Sequence, residues 1–91
     1  DNTFKLQRIA GQTVAKAHLT VKAAMDAGAT DEQLADVRVT LREAQWYWDW
    51  VAAESSMGFH NPDKIMRTLG LSIDKAHQCI EKTNAVVKGS L

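Results

Sequence analysis

The sequence predicts an all-α fold, an antiparallel arrangement of three long helices in a single domain spanning residues 1–91. Three observations carry that expectation. Apolar residues recur at alternating spacings of three and four through three long stretches. Helix-start signals, Thr30 with Gln33 and Asn61 with Pro62, stand just ahead of two of those stretches. One proline and five glycines leave little room for strands or long loops.

The first helix is expected over residues 4–27. Leu6, Ala10, Thr13, Ala17, Val21 and Ala24 fall within one narrow angular stripe, while Arg8, Gln12 and Lys16 fall away from it. Gly28 suits a left-handed residue at the helix end, and Thr30 with Gln33 forms a capping box for the next helix. A link this short permits only an antiparallel return.

The second helix is expected over residues 31–56. Leu34, Val37, Leu41, Ala44, Trp48 and Val51 make a heptad-like seam along its length. At 100° per residue, Val39, Trp46, Trp50, Ala53 and Met57 point to nearly the opposite side. Trp48 reads as bulky core. Trp46 and Trp50 cannot share its direction, and stacked tryptophans with aliphatic neighbours form a patch that calls for a partner. The second helix is therefore expected to be covered on two faces.

Asn61 and Pro62 open the third helix, expected over residues 62–88, with Asp63 complementing the helix dipole. Ile65, Leu69, Ile73, Ala76, Ile80, Thr83 and Val87 form its stripe, and Gly89 is expected to close it.

Composition excludes several functions. Eleven acidic and eleven basic residues balance, so net charge recommends neither nucleic acid nor an anionic membrane as partner. No apolar run approaches the roughly 20 residues of a membrane span, and no signal-peptide pattern opens the chain. The start at Asp1, without a methionine, reads as a processed chain or an excised fragment. The single cysteine, Cys79, excludes an internal disulfide and reads as a small packing residue beside the third stripe.

Chemistry is scarce. His18, His60 and His77 stand on three different elements, so no two of them have metal-ligand spacing on one helical face. No catalytic residue is expected, because no paired carboxylates beside a histidine, phosphate loop or nucleophile elbow appears. His18, at the edge of the first stripe, reads as partly buried and hydrogen-bonded, and His77 as solvated. His60 differs from both. It stands between Gly58, which permits a sharp turn, and the cap residue Asn61. Held between two helix ends, its imidazole is either aimed outward as a ligand or serves as a structural loop histidine.

The wording of this segment adds a resemblance. Gln45-Trp46-Tyr47-Trp48-Asp49, then Gly58-Phe59-His60-Asn61-Pro62, then Leu69-Gly70 and Ile73-Asp74-Lys75-Ala76 resemble the C-terminal helical region of the pentahaem, ammonia-forming cytochrome c nitrite reductases. Ala17-His18-Leu19 and the run from Lys22 to Thr30 resemble the preceding part of that region. Related multihaem cytochromes carry similar helices, so the subfamily stays open. The resemblance implies a periplasmic parent enzyme that reduces nitrite to ammonia on covalently attached haem c, with a calcium ion near its active site. It implies that the C-terminal helices form homodimer contacts, building a larger bundle. It also implies that His60 is the distal axial ligand to the iron of one bis-histidine electron-transfer haem. The second face of the second helix would then pack on the upstream haem domain or on a second subunit.

The departures are plain. No Cys-x-x-Cys-His haem-attachment motif occurs in the chain, and none of the family's catalytic or calcium-binding residues has a counterpart in this numbering. This segment alone is expected to be inactive, with haem and calcium belonging to the parent. A free-standing helical interaction module using its tryptophan face is the competing expectation. Non-covalent haem binding by His60 with Met57 or Met66 is a weaker third, since these near neighbours cannot easily reach opposite sides of one iron.

Overall fold

A computed structural model describes residues 2–58 and 61–90, apart from the side chains of residues 2 and 90. Three helices account for nearly all of them: α1 (Asn2–Asp26), α2 (Asp31–Ser56) and α3 (Pro62–Ser90). The expected all-α architecture is therefore the one observed, with no strand among the described residues. The third helix runs through Gly89 instead of stopping there, since a single glycine costs a helix only about 1 kcal/mol and does not break it.

Local sequence sets each helix end. Gly28 adopts φ +106°, a left-handed conformation that terminates α1 without a Cβ clash. The capping box ahead of α2 is complete. The Gln33 N–H donates to the Thr30 hydroxyl at 3.2 Å, and the Thr30 N–H donates to the Gln33 side-chain carbonyl at 2.8 Å. At the start of α3 the Lys64 N–H donates to the Asn61 side-chain oxygen at 3.2 Å, with Pro62 at the first helical position.

Cross-helix contacts fix the directions. The Trp48 indole N–H on α2 reaches the Gln7 carbonyl near the start of α1, while Arg38 lies beside Met25 near its end. Helices α1 and α2 are thus antiparallel. Ser72 on α3 donates to the Ala44 carbonyl at 2.9 Å, and Lys82 pairs with Asp36 at 2.9 Å, so α2 and α3 are also antiparallel. Thr3 beside Met66 aligns α1 parallel to α3. The result is an up-down-up bundle measuring 45 × 19 × 17 Å.

Two apolar clusters run along its axis. Val14, Ala17, Val21, Leu34, Val37, Leu41 and Ala76 belong to the larger one. Ala10, Val51, Ile65 and Leu69 form the smaller one, toward the Gly58 end. The alanines of α1 let that helix approach closely, and the large side chains come mainly from α2 and α3. Burying each Leu or Val contributes about 1.5–3 kcal/mol.

The predicted stripes hold, with additions on their flanks: Val14, Thr40, Ser72 and Cys79 are buried as well. The polar ones among them are satisfied. Thr40 donates to the Asp36 carbonyl, Thr83 to the Cys79 carbonyl and Ser72 across to α2. No buried side-chain nitrogen or oxygen among the described residues lacks a partner.

Charge is segregated although the total is zero. Helix α1 carries Lys5, Arg8, Lys16 and Lys22 against Asp26 alone. Helix α2 carries six acidic residues against Arg38 and Arg42, and α3 has an excess of bases. The pairs Lys75–Glu43 and Lys82–Asp36 join α3 to α2, so opposite charge meets along their seam.

Candidate functional site

The residue singled out from the sequence, His60, lies outside the described residues together with Phe59, and the frame on either side of it is described. On the α2 side the chain closes with the Met57 N–H on the Ala53 carbonyl at 3.1 Å and the Gly58 N–H on the Ser55 carbonyl at 3.3 Å. Gly58 takes φ +77°, the turn conformation expected of it. On the α3 side the Asn61 carbonyl accepts the Ile65 N–H at 3.0 Å. Ile65 is buried in the smaller cluster, which ties the start of α3 to the core. His60 is thus bracketed by two hydrogen-bonded helix ends.

The expected partner face divides. Val39, Trp46, Ala53 and Met57 are exposed, Trp46 to 61% and Met57 to 63%. Trp50 departs from the expectation. It is half-buried against the smaller cluster, and the Lys64 ammonium lies 5.0 Å from the centre of its ring. The physical reason is position. The short link around Gly58 holds the end of α2 against the start of α3, so a residue on the flank of α2 is drawn into their seam. Trp46, one turn earlier, escapes this and meets only the edge of Tyr47 at 5.5 Å.

Trp48 also needs correction. It packs against both clusters as expected of a core residue, but it is half-buried. Its indole N–H donates to the Gln7 carbonyl at 3.0 Å, and its ring lies on Gly11. A Cβ at Gly11 would stand 3.1 Å from the indole nitrogen, so glycine there creates the space for the ring. One side of the ring floors an open groove of about 490 Å³ lined by Phe4, Gln7, Arg8, Gly11, Gln12 and Ala15. A smaller extension of about 180 Å³ continues past Val14 to His18 and Gln45. Sequence reading missed this groove. Its signal was the small pair Gly11 and Ala15, one turn apart on the side of α1 turned from the core stripe.

The remaining candidates are separated from one another. His18 is exposed where partial burial was expected, because the helix rotates it past the α1–α2 seam; its Nε2 still bonds to the Gln45 side-chain oxygen at 2.9 Å. Gln45 in turn donates to Asp49 at 2.9 Å. His77 is exposed, as expected. Cys79 is buried, and burial pushes its thiol above the usual range, partly offset by the Thr83 hydroxyl and the Lys82 charge. Such a thiol is a packing group and a poor nucleophile.

No group of three or more His, Cys, Asp or Glu among the described residues could hold a metal ion. No described helix is long and apolar enough to cross a membrane.

The family model described as Cytochrome c552 matches residues 1–89. The cytochrome c-552 of Bacteroides fragilis strain ATCC 25285 is 44% identical over 81 residues, which is 86% of this chain and 16% of that protein. That of Bacteroides thetaiotaomicron is 40% identical over 85 residues, covering 86% of this chain and 17% of the relative. That of Parabacteroides distasonis is 48% identical over 65 residues, covering 71% and 13%. No solved structure matches the chain. The chain spans about a sixth of the length of the first relatives it matches. With the family model covering almost its whole length, the chain belongs to the cytochrome c552 family.

Proposed function

We propose that this chain is the non-catalytic helical domain of a multihaem c-type cytochrome that reduces nitrite to ammonia, serving subunit contacts and supplying His60 as the distal axial ligand of one electron-transfer haem. The observation that carries the reading is a mismatch. A cytochrome family model covers residues 1–89, yet the chain contains no Cys-x-x-Cys-His with which to attach a haem. A haem-attaching remainder in the parent protein reconciles the two, and the relatives' greater length leaves room for it.

The residues present fit one ligand to such a group. When bound, haem supplies one-electron redox chemistry whose potential depends on its axial ligands. This chain would supply the imidazole of His60, which stands in the sequence between Gly58 and the cap residue Asn61. Met57 and Met66 lie on the two flanking elements, and both are exposed. A bis-histidine site needs neither. In this reading calcium would be held by the rest of the parent protein. The upstream haem domain and a second subunit are the partners of this reading, and the periplasm its compartment.

The test is His60→Ala in the full-length protein, read by electron paramagnetic resonance. One bis-histidine haem should lose its low-spin signal, with nitrite turnover slowed through electron delivery and nitrite affinity little changed. Survival of every bis-histidine signal would reduce His60 to a loop residue. A full-length gene product without haem-attachment motifs would leave the free-standing interaction module, for which the exposed Trp46 stripe is the supporting feature.

A further inference from the structure

We propose that Lys64 is a positioning residue for the haem ligand, clasping the start of α3 to α2 by setting its ammonium on the ring of Trp50 while its main chain holds Asn61. This rests on the ligand role proposed above for His60 and adds the residues that set it.

Two hydrogen bonds meet at Asn61, the residue that follows His60 in the sequence. Its side-chain oxygen accepts the Lys64 N–H at 3.2 Å, and its carbonyl accepts the Ile65 N–H at 3.0 Å. Both donor residues are tied beyond α3. Ile65 is buried in the smaller cluster with Val51 of α2 and Ala10 of α1. The Lys64 ammonium stands 5.0 Å from the centre of the Trp50 ring, and Trp50 itself packs on that same cluster. Asn61 is therefore linked to α2 by an apolar route through Ile65 and a charged route through Lys64.

The charged route does not serve the helix that carries it. Lys64 occupies the third position of α3, and a cation in a first turn opposes the helix dipole. An acid there would stabilise the helix start more, as Asp63 does one position earlier. Lys64 is exposed and joins no ion pair among the described residues, so the ring of Trp50 is the group that holds its ammonium.

Its place along the seam is also particular. The other polar ties between α2 and α3 are Ser72 on the Ala44 carbonyl, Lys75 with Glu43, and Lys82 with Asp36 and Thr40. All of these lie farther along the helices and set their register. Lys64 with Trp50 is the tie nearest the link at Gly58 among the described residues. The spectrum and potential of a haem respond to the groups that orient its axial imidazole. Losing the clasp should therefore move a haem signal, whereas losing the ligand abolishes it.

The experiment uses the haem-loaded full-length protein, with electron paramagnetic resonance, haem potentials and denaturant midpoints measured on each variant beside His60→Ala. Lys64→Gln removes the cation and leaves the main-chain N–H that caps Asn61. Lys64→Arg keeps a cation for the ring. Trp50→Leu keeps apolar contact with the cluster and removes the π face. Lys64→Gln and Trp50→Leu should each displace the one low-spin signal that His60→Ala abolishes. The double variant should displace it no further than either single change, and Lys64→Arg should restore it. A lowered midpoint with every signal in its wild-type place would make the pair a purely structural tie and overturn the positioning role, while leaving His60 as ligand. Additive displacements, or a displacement that arginine does not restore, would overturn it as well. If His60→Ala itself leaves every signal intact, the ligand reading falls and the positioning role falls with it.

Discussion

Replacing Trp48 with alanine should cost about 2–4 kcal/mol, whereas replacing Trp46, two residues away, should cost less than about 0.5 kcal/mol. A fully buried Trp→Ala change costs about 3–5 kcal/mol, and half-burial places Trp48 somewhat lower. Its ring nonetheless touches both clusters and Gly11, so truncation opens a gap between α1 and α2. The hydrogen bond can be separated from the packing. Trp48→Phe keeps most of the ring and loses only the donation to the Gln7 carbonyl, worth about 0.5–1.5 kcal/mol. That carbonyl keeps its place in the α1 ladder, so no orphaned acceptor enlarges the loss. For a domain of this size each kcal/mol corresponds to about 4–8 °C in the melting midpoint. Denaturant titrations at equal slope should rank the proteins Trp46→Ala, Trp48→Phe, Trp48→Ala in order of increasing loss. Equal losses for Trp46→Ala and Trp48→Ala would refute the assignment of the two tryptophans to opposite faces.

Three further perturbations separate other parts of the account. Thr30→Ala removes one half of the capping box and should cost about 1 kcal/mol, with early loss of amide protection in the first turn of α2 as its signature. Gly11→Leu drives a side chain into the space held by the Trp48 indole and should cost about 1–3 kcal/mol, with a shift in tryptophan fluorescence. Cys79 supplies a pH test. Burial raises its thiol in the folded state, so the unfolded chain releases the proton first as pH rises above about 8.5. Stability should fall between that value and the higher folded value, and Cys79→Ala should abolish this part of the pH dependence in denaturant midpoints.

The fold was legible because each local signal agreed with the others. The capping box at Thr30, the Asn61–Pro62 start and three apolar stripes leave one arrangement for a chain with short links. The site was legible only to its frame. Wheel angles put Trp46 on a second face of α2, where it is exposed, but they treat a helix as isolated. Trp50 fell into the seam because the tight turn at Gly58 brings the start of α3 beside it, and no property of α2 alone contains that. The Gly11 groove stayed hidden for a related reason. A glycine within a helix reads as a weak point until the partner that occupies its missing side chain is known, and here that partner lies 37 positions away at Trp48.

Zero net charge conceals a segregation that bears on how the helices are held together. The balance of eleven and eleven averages over helices of opposite sign. Pairing between α2 and α3 uses two acids of α2 and two bases of α3, which supports their antiparallel contact by at most about 1 kcal/mol per exposed pair. Helix α1 joins no such pair among the described residues and is held by apolar contacts together with the Trp48–Gln7 and His18–Gln45 hydrogen bonds. Its cations therefore contribute little to the stability of the monomer. If the exposed charges of these helices take part in subunit contacts, raising the salt concentration should weaken association while leaving monomer stability nearly unchanged, because screening acts on exposed pairs and spares the apolar core. Sedimentation across a salt series, beside denaturant midpoints in the same buffers, measures both. A parallel decline of the two would contradict the division between exposed charges that associate and an apolar core that folds.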